Sequence, residues 1–241
     1  MLLNAQLLMK RNSLGAFTLI EMLVVISIIV VLAAFAGPAI FSALTKGQMT
    51  GSLNNSRQLY LAGQQMALDG ATNSDATRAW PGDLSDTPSG GGSSAPITSL
   101  QQYTTKLVQG DYLKAGDIQK ILSAPGATCT ATADNSTGAV TLGGKSALKV
   151  YKIKETDSTN TVFAVTANYT YNTALVATDA PYGDKGFVVQ RKGGDASVLK
   201  KNNATVVTGQ ESSFQSVVGK KPGEADGTVT AGDSTVALTN P

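Results

Sequence analysis

The sequence predicts an α+β protein: a long apolar N-terminal helix, kinked near Pro38, whose second half packs against a C-terminal head with an antiparallel β-sheet. Three observations carry this. Residues 22–45 are 24 consecutive positions without a formal charge, mostly Val, Ile, Leu, Ala and Phe. Met49, Leu53, Tyr60 and Ala67 then recur at intervals that place them on one face of a 3.6-residue helix. β-rich runs follow late in the chain, two of them flanking the turn residues Lys192-Gly193-Gly194-Asp195.

The first run is long enough to cross a bilayer, which takes about 20 apolar helical residues. Residues 1–16 carry Lys10 and Arg11 and no acid. The positive-inside rule therefore keeps the N-terminus cytoplasmic and places the head outside, a single-pass signal-anchor topology. Glu21 is out of place in an ordinary anchor, since a carboxylate at the bilayer centre costs about 2.5–3.5 kcal/mol. It needs a partner, and the next cation in the chain is Lys46, about 37 Å away at about 1.5 Å per helical residue.

With its basic leader, the residues Gly15-Ala16-Phe17-Thr18-Leu19-Ile20-Glu21 and the long apolar helix behind them, the chain resembles the type IV pilin and type II secretion pseudopilin family. The resemblance implies that a prepilin peptidase cuts the leader on the cytoplasmic face and N-methylates the new first residue. Two bonds fit. Cutting after Gly15, the family's usual residue, makes Ala16 first; cutting after Ala16 makes Phe17 first, Thr18 second, Glu21 fifth and Pro38 twenty-second. The family places its Glu and its Pro at those last two positions, which favours the Ala16–Phe17 bond. The resemblance also supplies the missing partner: Glu21 faces the N-terminal amine of a neighbouring subunit, with Thr18 and Pro38 as the other assembly positions. Such a pair in a low-dielectric bundle sets register, because either charge alone is penalised there.

The domains expected are a leader over 1–16, a transmembrane and assembly helix over 17–45, an amphipathic continuation over 46–70, and an extracytoplasmic head over 71–241. Asp69-Gly70 is expected to end the helix, Gly supplying a left-handed cap. Residues 71–96 are rich in Gly, Ser, Asp and Pro and read as a surface loop in which Trp80, the only Trp, pins the loop to the core. Ser99 and Gln102 stand in capping-box spacing at the start of a helix over 99–113, and a short helical turn is expected from Asp117 to the Pro125-Gly126 stop. The sequence of 107–113, Leu-Val-Gln-Gly-Asp-Tyr-Leu, is similar to the segment after the long helix in major pseudopilins. Strands are expected over 147–154, 162–169, 186–191 and 196–199, with another over 204–208. Residues 209–241 read as a polar tail.

Composition narrows the function. There is no His and one Cys, Cys129, so no Ser-His-Asp or Cys-His pair can form and Cys129 reads as a small buried side chain. No enzyme and no cofactor is expected, calcium aside. Removing the leader takes away Lys10 and Arg11, leaving 17 basic against 17 acidic residues, and no nucleic-acid partner is inferred. Because major pseudopilins bind calcium near the C-terminus, Glu224, Asp226 and Asp233 are candidate ligands, though their spacing is not that of an EF-hand. The expected partners are the chain itself as a homopolymer, the prepilin peptidase, the inner-membrane assembly platform and lipid. A structural subunit of a pilus or secretion pseudopilus is the leading expectation. The alternative is a minor pilin acting as a surface-binding adhesin or uptake protein, with the Trp80 loop and polar tail as its binding surface.

Overall fold

In the computed structural model, which describes residues 17–85 and 95–241, the first element is a 55-residue helix, α1 (Leu19–Asn73). It continues through Gly37 and Pro38 without interruption, although proline has no amide to donate to the carbonyl four residues back. Its end, Asn73, lies three residues beyond Gly70. Ser74 adopts a positive φ of 54°, and the Asp75 amide returns to the Gly70 carbonyl at 2.8 Å, the long bond of a Schellman motif. Gly70 is thus not the cap that the sequence suggested. It is small because a Cβ there would collide with the Arg78 carbonyl of the loop folded over it.

The chain divides into two units between Leu44 and Thr45. In the first, the large apolar side chains of α1 are uncovered: Leu19, Ile20, Leu32, Phe35 and Phe41 are all exposed. Among the described residues, α1 is the one helix long and apolar enough to cross a membrane.

The second unit holds the core. Its stretch of α1 buries Met49, Leu59, Tyr60, Met66 and Ala67, and also Ser52 and Ser56, on one face. The serines are satisfied locally: the Ser52 and Tyr182 hydroxyls share a hydrogen bond at 2.6 Å, and Ser56 donates to the Leu53 carbonyl. That face meets a four-stranded antiparallel sheet ordered β3 (Leu148–Val150), β4 (Val162–Thr166), β5 (Phe187–Arg191), β6 (Ala196–Leu199). Phe163 of β4 lies edge-on to Tyr60, Trp80 and Tyr103 with centroids 5.8–6.5 Å apart, the geometry that ring quadrupoles favour.

Ser99 caps α2 (Leu100–Gln109) through the expected capping box with Gln102, and α3 (Ala115–Ile121) follows. A second sheet, the hairpin β1 (Cys129–Ala133) and β2 (Val140–Gly144), had no counterpart among the expected strands. Its edge amides are taken up by helix side chains: Thr105 and Gln101 accept from Val140 and Leu142, and Gln119 from Ala131. Cys129 is buried there, and burial raises its thiol pKa.

Two further expectations need correction. Residues 204–208 form no strand; a 3₁₀ turn, Lys201–Asn203, and irregular chain stand there, with the Tyr169 hydroxyl donating to the Ala204 carbonyl. Residues 209–241 are not a free tail. They contain α4 (Glu211–Val217), bury Phe214 and Leu238, and return to pair Ala237 with Tyr151 and Thr239 with Ser99. Their polarity is consumed internally: the Gln215 amide group donates to the Ala225 and Thr228 carbonyls and accepts from the Gly227 amide.

Candidate functional site

Phe17 and Thr18 precede the helix, and Thr18 stands at its N-cap. The Thr18 hydroxyl accepts the Glu21 amide at 3.2 Å, while Glu21 Oε2 accepts the Thr18 amide at 2.7 Å and the Thr18 hydroxyl at 2.8 Å. This is a reciprocal capping box, and it satisfies two amides that a helix start otherwise leaves orphaned. The carboxylate also sits at the positive end of the helix dipole. Glu21 therefore has neutral partners beside it, although the nearest cation further along the chain is still Lys46. Charge balance points only to a cation, whereas the partners are an amide and a hydroxyl; their signal, Thr-x-x-Glu, is legible in the sequence.

Behind this cap the segment offers no other charge until Lys46. Ser27 hides its hydroxyl on the Val24 carbonyl at 2.7 Å, leaving that stretch of the surface almost wholly apolar. Phe17 is 75% exposed. Of the expected processing residues, Phe17 thus sits just ahead of the helix, while Gly15, Ala16 and the leader 1–16 lie outside the described residues. Pro38 lies within α1, 17 positions after Glu21.

The candidate calcium ligands are placed apart. Asp233 accepts from Lys149 at 2.8 Å and from the Tyr151 hydroxyl at 3.1 Å. Asp226 pairs with Lys220 at 2.8 Å, and Glu224 accepts from the Thr230 amide at 2.7 Å with Lys221 3.8 Å away. Each carboxylate has a lysine of its own. Among the described residues no three or more acidic, His or Cys side chains gather as a metal site.

Trp80 is only 5% exposed and donates its indole N–H to Glu155 at 2.6 Å, so it pins its loop as expected and presents no ring to a partner. The cavity beside it, about 310 Å³, is lined by small residues of α1 and by Asp75, Arg78 and Glu155. Asp75 is already engaged: the Thr77 hydroxyl and amide hold its pKa below the ordinary carboxylate value, with Arg78 3.4 Å away.

No curated protein and no solved structure matches this chain. Residues 11–37 match the family described as the prokaryotic N-terminal methylation motif. That stretch contains the Thr18–Glu21 cap and most of the uncovered apolar helix, so the chain carries a prepilin-type signal of the type IV pilin and pseudopilin kind.

Proposed function

We propose that this protein is a filament subunit: it enters the inner membrane through α1, is cut and methylated at Phe17, and polymerises through the same helix into a pilus or secretion pseudopilus. One observation carries this reading: a capped acid, Glu21, heads a helix whose large apolar side chains, from Leu19 to Phe35, are exposed among the described residues. In the membrane, lipid covers them. In a filament, neighbouring copies of the helix do so, and specificity must come from close packing and polar pairing, since lipid is as apolar as the side chains.

The cap leaves room for that pairing. The hydrogen bonds that the Glu21 carboxylate accepts from the described residues fall on Oε2, so Oε1 remains for the N-terminal amine of a neighbour. Membrane insertion with the N-terminus cytoplasmic follows from Lys10 and Arg11. The surface-binding alternative loses support, because Trp80 is buried and residues 209–241 are folded in.

The test is to shear the cell surface and to compare chain length with and without the prepilin peptidase. A subunit shortens only when the peptidase is present and dominates the sheared or purified filaments. A chain found there only in traces favours the binding role, and one whose length ignores the peptidase contradicts processing altogether.

A further inference from the structure

The C-terminal loop between Lys220 and Asp233 has no helix or strand, yet it surrounds a charge. The Lys221 ammonium donates to the Thr230 carbonyl at 3.0 Å, to the Gly232 carbonyl at 3.2 Å and to the Thr230 hydroxyl. That hydroxyl donates in turn to Glu224 Oε1 at 2.9 Å, which also accepts the Thr230 amide. The Glu224 side chain is 4% exposed, and its Oε2 has no hydrogen-bond partner among the described residues. Tyr171 closes the other side, its ring centroid 5.5 Å from the ammonium, and its backbone carbonyl holds the Gly232 amide at 2.9 Å.

Two carbonyls, a hydroxyl and a carboxylate around one point are donors that a hard cation uses. Here the point is filled by nitrogen. The set also contains a single carboxylate, because Asp226 is turned to Lys220 and Asp233 to Lys149. A divalent ion therefore does not fit these residues as they stand.

We infer that Lys221 is the resident cation of this loop: its ammonium takes the place that a bound metal occupies in a metal-closed loop, so the loop folds without divalent ions. The inference goes beyond the filament reading and does not depend on it. A buried carboxylate needs a compensating charge, and one tethered through its own side chain is never lost to dilution or to chelators. The loop stays closed where free calcium varies.

The experiment is thermal melting and limited proteolysis of the full chain in detergent, with calcium chloride or with chelator. Wild type melts at one temperature in both. Lys221→Met keeps the stem against Tyr171 and removes the charge; it melts several degrees lower and is cut within 222–231. Lys221→Arg restores a cation and most of the protection. If Lys221→Met does not fold, Thr230→Val, which keeps the carbonyl and deletes the hydroxyl link to Glu224, shows a smaller loss of the same kind. A wild-type melting temperature that rises with calcium overturns the inference. So does a Lys221→Met, or in its place a Thr230→Val, that matches wild type in melting and cleavage.

Discussion

Glu21 closes on Thr18 through one carboxylate oxygen, Oε2, which takes both the Thr18 amide and the Thr18 hydroxyl. Capping and charge are therefore separable at this residue. Glu21→Gln keeps an oxygen for the Thr18 donors and loses the charge. The expected outcome is normal membrane insertion and leader cleavage with filaments lost, read as sheared surface protein. Thr18→Ala costs the helix start about 1 kcal/mol but leaves the carboxylate, so filaments are reduced and not abolished. Normal filaments from Glu21→Gln would confine the residue to capping.

Trp80 joins three neighbours at once: Tyr60 of α1, with centroids 6.0 Å apart, Phe163 of β4, and Glu155. Trp80→Ala is expected to lower stability by about 3–5 kcal/mol in urea unfolding of the detergent-solubilised chain. Trp80→Phe keeps a ring and loses the indole N–H, costing about 1 kcal/mol beyond its volume change. In the wild type, this single Trp makes emission wavelength a direct probe of loop docking, with a blue-shifted native spectrum.

Gly63 and Tyr103 share one space. A Cβ at Gly63 would overlap the Tyr103 hydroxyl, which is buried and has no hydrogen-bond partner among the described residues. Gly63→Ala is expected to cost about 1–3 kcal/mol through overpacking. Tyr103→Phe, which deletes an unsatisfied hydroxyl, is expected to be neutral or stabilising. The double variant recovers part of the Gly63→Ala loss, and denaturation midpoints of the four proteins measure the coupling.

Acid stability has an identifiable contributor at the tip of the β1–β2 hairpin. The Ser136 hydroxyl and the amides of Thr137 and Ser136 donate to Asp134 and pull its pKa down to about 2 from an ordinary 3.8. The folded value is below the unfolded one, so the contribution is present above pH 3.8 and disappears as pH falls through about 2. Asp134→Asn is expected to be less stable than wild type at neutral pH. That gap should narrow between pH 3.8 and about 2 in an acid titration followed by circular dichroism.

Legibility followed the physics of each segment. The apolar run, the Ser99 capping box and the late strands were readable because each rests on local periodicity or on a fixed spacing. The β1–β2 hairpin was missed because Cys129–Ala133 alternates only small residues, Thr and Ala, whose burial is set by α2 and α3 above them. The end of α1 was misplaced because Gly70 looks like a cap and is in fact a contact point for Arg78. Residues 209–241 looked like a tail because their polar groups bond to one another across 10 to 13 positions, a separation that leaves no periodic trace. At the candidate site, Thr18 and Glu21 are legible as residues, and the Thr-x-x-Glu spacing that makes them each other's partners is as legible as the Ser99 box.

Mass spectrometry of the mature N-terminal peptide decides whether the chain is a processed prepilin. The expected first residue is Phe17, carrying one added methyl group on its amine. A mature protein that still begins at Met1 with the leader intact would contradict it.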